Sequence, residues 1–510
     1  MNNAMNHTNQ RIAKNTLFLY VRFAIVMIAN LYITRTVLTA LGASDFGIYN
    51  VVCGFVAMFG VLNTSMTNGI QRFYNYELGK NGDTAVAKVF NTAIIVQLIL
   101  AAVLILLAET IGLWYLNTQM VFPAVRIGAA NWIFQFAVVS LLFVIFQIPY
   151  SAAILSYERM DFYTIVSIVE IGLKLIVVVA LPYLIGDRLI IYGASLMGVT
   201  ILSFLFYFFY CFRHFPMLRF QRMLDKDQFK TMVSFSGWHM LSTSAYLVKG
   251  QGINVLINAF FGTIVNAANG IAAQISSAIQ TFSMNLVIAF KPQLTQSYAV
   301  GDYRRTEQLM CVMSKMSYIL MSILAIPVLV EMDYVLRIWL GDAIPEYTDV
   351  LAILTIVAMM IGVLNTPITQ VVHSVGNIKV YEIATSIVIF SILPISWIFL
   401  RLGYDVESVF IVTIVLMLIN QIVSLLVLRC IFKFNFGKYM LSVVVPCVLI
   451  TIVALVVSMS ITGLMSVSFL RFMIVAIVNL LTVAIVAILT LNKYERAEAK
   501  KLLMGILCRG

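Results

Sequence analysis

Residues 251–270, QGINVLINAFFGTIVNAANG, decide how this chain is organised, because residues 34–50, TRTVLTALGASDFGIYN, resemble them about 220 positions earlier. In each stretch an apolar run stops at a glycine, Gly262 or Gly42, and a second apolar run follows almost at once. Two further matches keep the offset. YELGKNGD, ending at Asp83, resembles SYAVGD, ending at Asp302. IPYSAAILSYERMDFY, with Pro149 and Tyr163, resembles TPITQVVHSVGNIKVY, with Pro367 and Tyr381. Three matches in one order at a nearly constant spacing are hard to obtain by chance, so the chain reads as an internal duplication.

What is duplicated is hydrocarbon. The 510 residues are 62% hydrophobic and only 11% charged, with a mean hydropathy of +0.98. Apolar runs of about 20 residues, the length that crosses a bilayer as a helix, recur from end to end. They are continuous rather than alternating, which excludes a β-barrel. The reading is an all-α polytopic membrane protein with about 14 transmembrane helices. The expected spans are 14–40, 48–70, 88–112, 124–148, 161–185, 189–211, 233–260, 263–290, 309–331, 348–372, 379–401, 407–429, 441–463 and 468–491. One repeat holds an even number of spans, so both halves enter the membrane in the same direction, related by a pseudo-two-fold axis along its normal. The expected organisation is a six-helix bundle over 1–212, a linker over 213–231, a second six-helix bundle over 232–432, and an extra helix pair with a tail over 433–510.

Charge sets the orientation. One face of the predicted bundle collects most of the lysine and arginine, from Arg11 and Lys14 through Arg72 and Arg159 to the Arg213–Lys230 linker, Lys291 and Lys493. The other face has few, and instead holds acids such as Asp45, Asp187, Asp333 and Asp405. The positive-inside rule places both termini in the cytosol. It also accounts for the net charge of +11 as topology rather than nucleic-acid binding. The polar stretch before the first span has no cleavable-signal pattern. Six scattered cysteines lack CxxC spacing, so neither a disulfide framework nor a thiolate metal site is expected. No nucleotide-binding motif appears, and no cofactor is implied.

The informative residues are basic groups placed where lipid should be. Arg22, Arg35, Lys174 and Lys249 lie inside apolar runs, against one acid, Glu170, at comparable depth. A charge at the bilayer centre costs about 2.5–3.5 kcal/mol on insertion scales and so usually faces a cavity. Arg22 and Arg35 are 13 residues apart, about 20 Å along a helix, too far to hold one phosphate together but suited to successive stations. Snorkelling to headgroups explains either one equally simply. Asn30 lies between them. The seventh span is the most polar, with Ser242, Thr243, Ser244, Tyr246, Lys249, Gln251, Asn254 and Asn258. Gly250 and Gly252 suggest local unwinding there. Asn254 and Asn258, one turn apart, are placed either to meet sugar hydroxyls or to pack between helices. Glu170 and Lys174, spaced i, i+4, form either a self-neutralising pair or a coupling site. Gln71 and Arg72 end the second span at the cytosolic face, where gating or headgroup contact fits beside plain positive-inside anchoring, and Arg72 stands with Arg22, Arg35, Asn30, Lys249, Asn254 and Asn258 as a substrate-binding candidate.

The motifs also resemble a family. LGASDFGIYNVV, Gln71–Arg72 with GKNGD, QIPYSAAILSYERM, QGINVLINAFFGTIVNAANGIAAQI and KPQLTQSYAVGD are similar to the polysaccharide-transporter branch of the multidrug/oligosaccharidyl-lipid/polysaccharide exporter superfamily, the Wzx-type flippases. The resemblance covers nearly the whole chain. It implies two six-helix bundles in a V around a central cavity, alternating access, and a polyprenyl-pyrophosphate-linked oligosaccharide carried to the outer leaflet of a bacterial inner membrane for O-antigen or capsule synthesis. It implies no enzymatic activity. Membrane lipids, a glycan polymerase and glycosyltransferases are the implied neighbours. Two alternatives stand beside it. A drug exporter on this fold would prefer acids inside the membrane. A glycan polymerase would carry a large outer loop, whereas the longest here, near 332–347, is short and acidic.

Overall fold

The computed structural model describes residues 2–57, 60–118, 124–221, 225–341 and 344–490; for 2–17, 31, 34, 35, 38, 43, 44, 47, 50, 51, 54, 55, 57, 60–64, 84, 124 and 263 it describes the backbone alone. The helices are α1 (Asn2–Ala57), α2 (Gly60–Lys80), α3 (Asp83–Leu107), α4 (Leu113–Thr118), α5 (Ile127–Ser156), α6 (Met160–Ala180), α7 (Arg188–His214) and α8 (Lys226–Ala299). They continue as α9 (Tyr303–Val330), α10 (Met332–Leu340), α11 (Thr348–Val375), α12 (Lys379–Arg401), α13 (Glu407–Ile431), α14 (Phe436–Tyr439), α15 (Val445–Leu464) and α16 (Phe469–Thr490). Eleven helices among the described residues are long and apolar enough to cross a membrane. The expected spans 14–40, 48–70 and 233–260 are not among those eleven. The first two fall partly outside the described side chains, and the third is helical but held polar by the Ser242–Asn258 series.

The duplication is written in the backbone. Gly42 (φ 80°, ψ 164°) breaks α1 and Gly262 (φ 80°, ψ −169°) breaks α8, in a region of conformational space essentially reserved for glycine. The chain reverses at the second break. Asn269 Nδ2 donates to Asn254 Oδ1 at 2.6 Å, although a straight helix would separate residues 15 apart by about 22 Å. Every other positive-φ connection of the first repeat has a partner in the second: Gly82 with Gly301, Glu158 with Gly376, Gly186 with Gly403. From Gly42 onward the offsets are 220, 219, 218 and 217, one residue fewer at each successive connection. Near each connection this frame pairs a residue of the first repeat with a counterpart in the second.

The helices gather into two compact units, Leu17–Met240 and Leu241–Gly510 with Met1–Thr16. In the first, α5 is central and packs on α2, α3 and α7, while α6 packs on α7. Its connections segregate by end, as alternating spans require. Arg126 donates to Asp45 and, at 2.5 Å, to Asp187, tying three loops together at one end. At the other end Tyr157 Oη donates to Asp83 at 2.9 Å and stacks on Phe215. In the second unit α11, α12 and α13 pack together, α11 also meets α9, and α15 and α16 cover the rest of α9. The apolar window of α9 is therefore 78% buried, against 28% for each helix that covers it. The cover is bonded as well as packed. Tyr318 Oη meets Thr451 Oγ1 at 2.6 Å, Asn479 Nδ2 donates to the Ile323 carbonyl at 3.1 Å, and Arg471 Nη2 donates to Glu331 Oε2 at 2.5 Å.

Candidate functional site

In the first unit α1, α6 and α7 bring polar groups together. The Arg22 guanidinium lies 4.7 Å from the centroid of the Tyr163 ring. Its Nε is buried and makes no hydrogen bond among the described residues. Tyr207, buried on α7, lies in the electrostatic field of Arg22, Tyr163 and Glu170. Glu170 accepts from Lys174 Nζ at 2.7 Å and from Ser203 Oγ at 3.2 Å. Helical i, i+4 spacing on α6 puts Glu170 and Lys174 on one face, and Ser203 arrives from α7. The cluster thus holds one carboxylate, already engaged by an ammonium, and one guanidinium with a bonding atom to spare. Asn30 is exposed further along α1, and the side chain of Arg35 lies outside the described residues.

In the second unit Lys249 is half-buried on α8. Its ammonium lies 5.9 Å from the ring centroid of Tyr246, one turn back. Among the described residues neither Arg22 nor Lys249 pairs with a carboxylate. In the repeat frame Lys249 corresponds to Ala29, seven residues from Arg22. Two helical turns later a helix presents nearly the same face, so within the repeat frame the two cations share a helical face at registers about 10 Å apart along the helix axis. Tyr246 interacts with Asn365. Asn365 accepts from Tyr381 at 3.4 Å, and the Tyr381 hydroxyl meets Thr369 at 2.6 Å. Asn254 is engaged by Asn269 in the hairpin, and Asn258 is exposed. α8 does not unwind at Gly250 or Gly252. Its break is at Gly262, and Gly252 instead lets Leu393 of α12 approach.

Arg72 is buried near the end of α2. Its guanidinium is ringed by Phe73 at 4.8 Å, Tyr76 at 5.1 Å and Phe235 at 5.5 Å. A buried acid–imidazole contact joins α11 and α12. His373 Nε2 meets Glu382 Oε1 at 2.8 Å, both side chains almost fully buried. Hydropathy ended the tenth span at 372, one residue short of His373, whereas α11 runs to Val375. Marking α11 through to the turn at Gly376 would have put His373 inside a span, nine residues from an acid.

No protein-family model and no curated protein sequence matches the chain. Solved structures do match. A MATE transporter in the bent conformation aligns with a TM-score of 0.73 at 12% identity, over 83% of this chain and 96% of that one. An outward-facing multidrug resistance MATE family transporter of the MOP superfamily aligns with a TM-score of 0.72 at 13% identity, over 84% and 98%. A MOP superfamily transporter from Pyrococcus furiosus, for which a reversed polarity of the binding pocket suggests a different function, aligns with a TM-score of 0.67 at 12% identity, over 83% and 96%. Over most of its length this multi-pass helical membrane protein has the fold of the MATE transporters of the MOP superfamily.

Proposed function

We propose that the protein is a flippase that carries a polyprenyl-diphosphate-linked oligosaccharide from the cytosolic to the outer leaflet of a bacterial inner membrane by alternating access, for surface polysaccharide synthesis. The full complement of about 14 spans and cytosolic termini belong to this reading. A glycan polymerase and glycosyltransferases would be its pathway neighbours.

The observation that supports it is that Arg22 and Lys249 meet tyrosine rings and, among the described residues, no carboxylate. A cation–π contact contributes about 0.5–2 kcal/mol. A basic group at bilayer depth costs about 2.5–3.5 kcal/mol. The rings leave a deficit at each cation, and an arriving diphosphate would remove it. The free Nε of Arg22 suits phosphate oxygens, which accept from a guanidinium in a charge-assisted bond. Each cation would meet the headgroup within its own half, with the prenyl tail left in lipid. Asn30, Asn258 and Tyr246 are the sugar-facing candidates.

A second reading, drug export, is favoured by the fold, which the multidrug resistance MATE transporter shares. A cationic drug needs an acid to meet it, whereas Glu170 is held by Lys174 and Ser203 and Glu382 by His373. Proteoliposomes containing the purified protein separate the two. Translocation of a fluorescent polyprenyl-diphosphate disaccharide without uptake of the cationic dye ethidium supports the flippase. Ethidium uptake without lipid translocation overturns it.

A further inference from the structure

The first unit carries a second polar cluster, at the end where Arg126 joins Asp45 and Asp187. A π-turn over Ala108–Gly112 links α3 to α4. Such turns are rare and recur at functional sites. In a continuous α-helix Glu109 and Asn117, eight residues apart, would point about 80° away from one another. The wider turn lets both meet α5, where Asn131 and Gln135 stand one turn apart on one face. Gln135 Nε2 donates to Glu109 Oε2 at 3.2 Å. Asn117 and Asn131 exchange amide bonds at 3.2 Å and 2.9 Å. Each amide nitrogen also donates to its own helix, to the Leu113 carbonyl at 2.9 Å and the Ile127 carbonyl at 3.0 Å. Both donors of each asparagine are thus used, while each amide oxygen keeps an acceptor site, as does the Glu109 carboxylate. Trp114 on α4 and Trp132 on α5 are each 57% exposed.

Used donors and open acceptors call for a ligand that donates hydrogen bonds. An anion does not fit, because Arg126 gives Nε, Nη1 and Nη2 to Asp45 and Asp187. A purely structural amide pair between membrane helices would be buried, whereas this one is exposed. Tryptophans gather at membrane interfaces as anchors, but such a belt needs neither amides nor a π-turn. An organic cation calls for charge, and Asn117, Asn131 and Gln135 are neutral carboxamides. A sugar fits both parts of the cluster. Its hydroxyls donate to amide and carboxylate oxygens, and the C–H face of a pyranose lies on an indole ring. We propose that this cluster binds neutral sugar residues of the cargo, within the first unit and separately from the cations that meet the diphosphate. The proposal rests on the reading of the cargo as a lipid-linked oligosaccharide, and adds a glycan site that hydropathy and buried charge do not reveal.

The test is thermal stabilisation of the purified full-length protein titrated with a polyprenyl-diphosphate disaccharide, with the sugar-free polyprenyl diphosphate and ethidium in parallel. The wild type should half-saturate with the disaccharide lipid at a concentration about tenfold lower than with the sugar-free lipid, the contribution of one or two hydrogen bonds and a ring contact. Asn131→Leu and Trp132→Leu should each lose most of that preference and still bind the sugar-free lipid within about twofold of the wild type. Variants that keep the preference overturn the sugar site alone. So does a wild type that binds the two lipids equally, and so do variants that weaken both lipids alike, which is the mark of a structural role. A wild type stabilised by neither lipid overturns both the site and the flippase reading. Stabilisation by ethidium that both variants lose makes the cluster a cation site and overturns the sugar assignment. Should Asn131→Leu fail to fold, Trp114→Leu at an exposed ring decides: loss of the preference supports the site, and a wild-type preference overturns it.

Discussion

Tyr163 and Tyr381 hold the same position in the two repeats, 218 residues apart, yet one carries a guanidinium on its ring and the other hydrogen-bonds a threonine. Around Tyr163 the polar groups are ionisable side chains: Arg22, Glu170 and Lys174. Around Tyr381 they are the neutral Thr369 and Asn365, with the His373–Glu382 pair on the same two helices. The duplication kept the scaffold and divided the chemistry. If Arg22 uses the Tyr163 ring, then Tyr163→Phe, which keeps the ring, leaves translocation near wild type. Tyr163→Leu removes a contact of about 1 kcal/mol and slows translocation several-fold. Initial rates in proteoliposomes check this.

The Glu170–Lys174 pair predicts a stability cycle. Glu170→Gln leaves an ammonium without its partner, and Lys174→Met leaves a carboxylate. The pair is half-buried, and removing one member of such a pair leaves an uncompensated charge that removing both does not. Each single variant should melt below the wild type in detergent, and Glu170→Gln/Lys174→Met should recover most of the difference. A double variant that melts at the sum of the two losses would show the groups acting independently.

Gly250 and Gly252 stand two residues apart on one helix and differ in what a methyl group would meet. At Gly250 nothing lies within 4 Å, whereas at Gly252 a Cβ would sit 2.4 Å and 2.7 Å from the two Leu393 methyls. Gly250→Ala should be neutral or stabilising by up to about 1 kcal/mol. Gly252→Ala should destabilise by about 1–3 kcal/mol through overpacking of α8 against α12. Denaturation of the two variants side by side reads the contrast directly.

Arg471 of α16 binds Glu331 at the end of α9 and also donates to the Met465 carbonyl at 3.0 Å. Arg471→Met leaves the almost fully buried Glu331 carboxylate without this partner, at a cost of about 3–5 kcal/mol. The terminal pair should loosen from α9. Hydrogen–deuterium exchange should quicken in α15 and α16 while α5 and α7 keep their protection.

Much of this architecture was legible in the chain because the duplication rests on backbone conformations that only a few residues tolerate. Gly42 and Gly262 were visible as the residues that interrupt apolar runs, and the structure gives both a φ of 80°. Glu170 and Lys174 were legible because helical spacing alone makes them neighbours. Arg22 on Tyr163 was not, since 141 residues separate them and only the packing of α1 against α6 joins them. His373–Glu382 was hidden by a hydropathy boundary that stopped at residue 372. Lys291 was read as a topology signal because charge counting does not distinguish a buried ammonium from an exposed one.

The central claim is that Arg22 and Lys249 meet an anionic headgroup. The direct measurement is the initial rate at which a fluorescent polyprenyl-diphosphate disaccharide crosses proteoliposomes bearing wild type, Arg22→Ala or Lys249→Ala, each verified as folded by its melting curve. The account predicts that each alanine variant slows translocation by about tenfold or more, the loss expected of one charge-assisted contact. Wild-type rates in both folded variants, beside an active wild type, would contradict it.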